Sequence, residues 1–128
     1  MPHVGRLLMA IALGHAVVGV ALFHAPLAAM LRDGLFDSVR PNLAGGMPSS
    51  FDRAAAFWFL LFAPALFMLG QIVERAAARG DGPLLSLIGW HLLGIGLIGV
   101  IVIPISGFWT LLAVAPLLLV GGRRAVPA

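Results

Sequence analysis

Four polar side chains stand out against the apolar stretches of this chain: His15, Gln71 and His91 within them, and Glu74 near an end. A polar group among hydrocarbon is costly, so each needs a partner or a task. His15 and His91 each stand nine residues into an apolar run, after Arg6 and Gly82, or roughly 13 Å along a helix. Two neutral imidazoles on facing helices suit axial ligation of a haem. They would also suit proton delivery to a quinone or another hydrophobic substrate, with Glu74 as the relay on the near side. A different metal fits less well, because two histidines without a nearby third ligand make a poor site, and no metal ligand set is assigned. The plainer alternative gives each imidazole one bond to a backbone carbonyl of a neighbouring helix. Gln71 is then interhelical glue, and Glu74 pairs with Arg75 or Arg79 at a helix end.

The elements that must position these groups follow from composition. The chain has 128 residues, 61% hydrophobic and 10% charged. Soluble domains carry about 45–50% apolar and about 25% charged residues, and one this small cannot hide so much apolar surface. A membrane protein of one domain is implied. The absence of cysteine excludes disulfides, thiolate metal sites and cysteine nucleophiles. The charge of +3 comes from eight Arg against five acids, in no run long enough to bind nucleic acid.

Spanning a bilayer takes about 20 mostly apolar residues. Runs free of Arg, Asp and Glu cover 7–31, 54–73 and 82–122, and the last is broken at Pro104 to Gly107. The fold expected is all-α, an integral membrane four-helix bundle with spans near 6–25, 51–75, 83–103 and 107–122. An outer segment over 26–50 holds a short interfacial helix, 26–32, stopped by Asp33 and Gly34. The fourth span is the shortest. Pro64 and Pro116 fall inside spans, where neighbours must satisfy the freed carbonyls. Ser49 and Asp52 have capping-box spacing ahead of span two. Arg6, Arg75, Arg79, Arg123 and Arg124 lie on one side and Arg32, Arg40 and Arg53 on the other. That bias puts both termini in the cytoplasm of an inner (plasma) membrane.

Glycines one turn from each histidine, Gly19 and Gly94, would let another helix or a flat ligand approach, and Ala10 with Gly14 offers a second close-packing face. Gln71 and Glu74, three apart, are expected to face the same way. Trp90 beside His91 reads as packing. Ser86, Ser106 and Thr110 read as small hydroxyls bonding back to helix carbonyls.

Several short motifs resemble a family of short bacterial membrane proteins known as domain of unknown function 6463. They are Gly14-His15, Arg32-Asp33-Gly34-Leu35-Phe36, Ala55-Ala56-Phe57-Trp58-Phe59-Leu60 and Ser106-Gly107-Phe108-Trp109. The resemblance covers about Val4 to Val120, and the architecture is similar to the DoxX-like four-span group. It implies a four-helix bundle with a capping outer segment and carries no activity. It directs attention to His15 and to an outer face around Asp33, Arg53, Trp58 and Trp109.

Three functions compete. The first is a polytopic membrane protein with an intrabundle pocket for a hydrophobic or redox ligand, haem or quinone, near His15 and His91. The second is a small multidrug-type transporter, which needs a carboxylate deep in the membrane, where none of the five acids is expected. The third is a structural or accessory subunit without catalysis. Lipid is the expected partner in each, with self-association into a homo-oligomer and no nucleic acid.

Overall fold

The computed structural model describes residues 3–39 and 50–125. The described residues form five helices: α1 (Val4–Leu22), α2 (His24–Asp33), α3 (Phe51–Ala78), α4 (Gly82–Val102) and α5 (Phe108–Ala125). By length and composition α1, α3 and α4 can cross a membrane. The apolar part of α5, Phe108–Arg123, is shorter. Ser49, expected to cap α3, and Arg40 lie outside the described residues.

The helix boundaries have local causes. α1 stops at Leu22, earlier than expected, and Phe23 takes φ −107° and ψ 24°, outside the α region. α2 then starts at His24, so Pro26 falls in its first turn, where a missing N–H costs nothing. Gly34 ends α2 at φ +95°, a conformation open to glycine. α3 closes in a Schellman turn. The Asp81 amide bonds the Ala76 carbonyl at 2.9 Å and the Gly80 amide bonds Ala77 at 3.2 Å, with Gly80 at φ +68°. Asp81 then caps α4, its Oδ1 accepting from the Leu84 amide at 3.0 Å.

The chain groups into two compact units, one of Met1–Ile11 with Leu66–Ala128, the other Ala12–Ala65. In the first, α4 and α5 pack as an antiparallel hairpin. The buried face of α4 includes Gly82, Leu85, Gly89, Leu92, Gly96 and Gly99, alternating steps of three and four. This is the 3.5-residue seam of paired helices, with glycine at most of its positions. A Cβ on Gly89 would lie 3.0 Å from Leu119, one on Gly96 would lie 2.8 Å from Leu112, and one on Gly99 would enter the Phe108 ring. Gly122 of α5 returns the favour against Ser86 and the Gly82 carbonyl. The turn is held by Trp109, whose Nε1–H donates to the Pro104 carbonyl at 2.9 Å. The Thr110 hydroxyl donates to Gly107 at 2.6 Å, while Ser106 Oγ instead accepts from the Phe108 amide.

Also in the first unit, the start of α1 crosses the end of α3 backbone to backbone. A Cβ on Gly5 would lie 2.5 Å from the Gly70 carbonyl oxygen, and one on Gly70 would lie 2.7 Å from that of Gly5. Gly14, expected in a close-packing face with Ala10, has open space around it. Gly70→Ala should therefore lower stability by about 1–3 kcal/mol, because backbone atoms cannot move aside. Gly14→Ala should not lower it. Thermal unfolding in detergent compares the two directly.

Candidate functional site

His15 belongs to the second unit, and its position is set one turn further along α1. Gly19 is buried; a Cβ there would come within 2.6 Å of Leu60 and 2.9 Å of the Phe59 ring. That approach carries the imidazole onto α3. The ring stacks on Phe59 with centroids 4.1 Å apart and planes 14° apart, and meets Phe62 edge-on at 5.2 Å. Its Nε2–H donates to the Phe59 backbone carbonyl at 2.9 Å. Pro64, inside α3, lacks the amide that would bond the Leu60 carbonyl, which is the neighbour of the carbonyl His15 uses. With Nε2 the donor, the neutral ring keeps Nδ1 as its acceptor.

Glu74 belongs to the first unit, at the Gly5–Gly70 crossing. Arg6 Nε pairs with its Oε1 at 3.2 Å, in place of the expected partners Arg75 and Arg79. Oε2 is buried with no hydrogen-bond partner among the described residues, and it lies 2.8 Å from where a Cβ on Gly5 would stand. Gln71, expected on the same face, is exposed. Three residues fall about 60° short of a full turn, enough to bring Glu74 against α1 and leave Gln71 outside.

His91, also in the first unit, is exposed. Its Nδ1–H donates to the Leu87 carbonyl of its own helix at 2.8 Å. Gly94, one turn on, has nothing within reach of a Cβ. His15 and His91 thus fall in different units, each with one ring nitrogen committed to a carbonyl. An apolar gap of about 10 Å³ among Val4, Val73, Ala77, Leu85, Leu118 and Gly121 is the size of one water.

Of the remaining candidates, Arg53 pairs with Asp33 through Nη2 and Oδ2, tying the first turn of α3 to the end of α2. A cleft of about 390 Å³ beside them is lined by Asp33, Gly34, Phe36, Asp37, Ser38, Ser50 and Arg53. Trp58 is exposed and meets the Phe57 ring edge-on, and Trp109 is exposed in the first unit. No group of three His, Cys, Asp or Glu among the described residues is placed to hold a metal. What the sequence reading missed is the partner side of each polar group: the Phe59 carbonyl for His15, and Gly5 with Gly70 for Glu74. The signal available was a glycine on each of two helices.

The family model described as a family of unknown function, DUF6463, matches residues 1–125. Neither a curated protein nor a solved structure matches the chain.

Two predictions follow from this geometry. His15→Phe keeps the ring stack and loses the hydrogen bond, so it should cost about 0.6–1.7 kcal/mol. An unchanged unfolding midpoint would show that the bond carries no stability. Arg6→Ala should destabilise more than Glu74→Gln, because it strands a half-buried carboxylate, whereas the amide needs no counter-charge. The reverse order, read in the same assay, would mean that the pair does not hold the crossing.

Proposed function

The chain belongs to the DUF6463 family, and on that premise we propose that it is a multi-pass membrane protein with a structural or accessory role, its polar side chains serving to join helices. In this reading α1, α3, α4 and α5 make a four-span bundle of DoxX-like architecture. α2 and the segment after it cap the outer side. Both termini face the cytoplasm of a bacterial inner membrane, as the five-to-three division of Arg favours. The observation that carries the proposal is the His15 imidazole, stacked on Phe59 with its N–H donated to the Phe59 carbonyl. A side chain held in this way works as a joint between α1 and α3.

A second reading keeps a hydrophobic or redox ligand, with His91 as the group that touches it. It is favoured by the Nδ1–H bond to Leu87, which leaves Nε2 as an outward acceptor on an exposed face. Ligating histidines are commonly oriented by such a bond at the other nitrogen.

The absorption spectrum of protein purified from haem-replete cells, before and after dithionite, separates the two. The structural reading predicts no Soret band, and a lower unfolding midpoint in His15→Leu. A Soret band that shifts on reduction and disappears in His91→Leu would overturn it in favour of a haem site.

A further inference from the structure

Four helix ends converge on the small apolar gap in the first unit. Val4 of α1, Val73 and Ala77 of α3, Leu85 of α4, and Leu118 and Gly121 of α5 line it. The arginines of those ends are thereby gathered together. Arg6 lies in the first turn of α1, Arg75 and Arg79 at the end of α3, and Arg123 in the last turn of α5. The Arg79 amide still bonds the Arg75 carbonyl at 3.2 Å, so these two residues stand one turn apart, about 40° apart around the axis of α3. A Cβ on Gly122 would lie 2.7 Å from the Gly82 carbonyl oxygen, which brings the end of α5 to the start of α4, three residues on from Arg79.

An arginine at a helix end ordinarily pairs with an acid or bonds the last carbonyls. Here both tasks are already done. Glu74 is taken by Arg6, and Asp81 Oδ1 by the Leu84 amide. The Ala76 and Ala77 carbonyls receive the Asp81 and Gly80 amides of the Schellman turn. Arg75, Arg79 and Arg123 are exposed and have no ion-pair partner among the described residues. The first turn of α3 has no such surplus: Arg53 is paired with Asp33, and Asp52 precedes it.

If these helices span the bilayer, as the proposed function holds, their ends stand at headgroup level. A guanidinium there offers paired N–H donors that match the two free oxygens of a phosphodiester, and the chain uses arginine and no lysine. Unpaired positive charge favours a lipid of net negative charge, because a zwitterionic headgroup brings its own cation to the phosphate.

We infer that Arg75, Arg79 and Arg123 form a binding surface for the phosphodiester headgroup of an anionic phospholipid, seated across the α3–α4 turn. This rests on the membrane-spanning reading of the helices. It names the class of lipid and the residues that hold it.

Native mass spectrometry of the detergent-solubilised chain, titrated with phosphatidylglycerol or phosphatidylcholine, reads the binding directly. Phosphatidylglycerol should bind about tenfold tighter than phosphatidylcholine. Arg75→Gln, Arg79→Gln and Arg123→Gln should each weaken phosphatidylglycerol binding about threefold to fivefold and leave phosphatidylcholine binding unchanged. Arg32→Gln, which replaces another exposed arginine at the end of α2, should change neither. Equal affinity for the two lipids, or an equal loss in Arg32→Gln, would overturn the proposal. Displacement of phosphatidylglycerol by millimolar inorganic phosphate would overturn it in favour of a free-phosphate site. The unfolding midpoint in phosphatidylcholine should be unchanged in all three variants; a lower one would mean that the arginine holds the fold instead. Carbonate washing separates failure of the proposal from failure of its premise. Release of the chain from membranes would sink the membrane reading and the proposal with it. Retention, with no preference between the lipids, would sink the proposal alone.

Discussion

A helix surrounded by lipid gains little by burying a leucine against another helix, since the lipid tail is as apolar as the leucine. Association must come from close van der Waals contact and from hydrogen bonds that lipid cannot supply. The helices of this chain follow that constraint closely. The start of α1 crosses α3 where two glycines bring carbonyl oxygens to within about one methyl group of the opposing backbone. α4 and α5 meet along a seam that is mostly glycine on one side and Phe108, Leu112, Ala115 and Leu119 on the other. Bulk on one helix fills the space that its absence leaves on the next.

The polar groups fall into place on this frame. His15 reaches the Phe59 carbonyl because Gly19 lets α1 settle against Phe59 and Leu60. Glu74 lies against Gly5 because no side chain keeps it out, and Arg6, the next residue, supplies the counter-charge. The glycine that admits the partner helix and the polar group that holds it stand within about one turn of each other in both cases.

Much of this was legible in the sequence, and the remainder has a physical reason for being hidden. The long apolar runs, the break at Pro104–Gly107 and the stop at Asp33–Gly34 each announce themselves by composition or by a residue that forbids helix. The close approach at Gly19 was readable as well, from its spacing to His15. The Gly5–Gly70 crossing was not, because it depends on which helices meet and at what height, and each glycine alone is unremarkable in an apolar helix. The seam of α4 was written in the seven-residue recurrence of Gly82, Gly89 and Gly96, but a glycine-rich apolar helix has no polar face to reveal its period. The candidate residues fared according to what they needed. Asp33 and Arg53, charged and near in space, meet as an ion pair. The carbonyl partners of His15 and His91 carry no side-chain signature and surface only in the fold.

The central claim is that the His15 imidazole is a joint between helices, with Nε2 protonated and bonded to Phe59. Nitrogen NMR of the protein in lipid nanodiscs, with labelled histidine rings and a labelled Phe59 carbonyl, tests it most directly. The account predicts a protonated Nε2, an unprotonated Nδ1 and a coupling from Nε2 through the hydrogen bond to the Phe59 carbonyl carbon. A ring protonated at Nδ1 alone, with no coupling to Phe59, would contradict it.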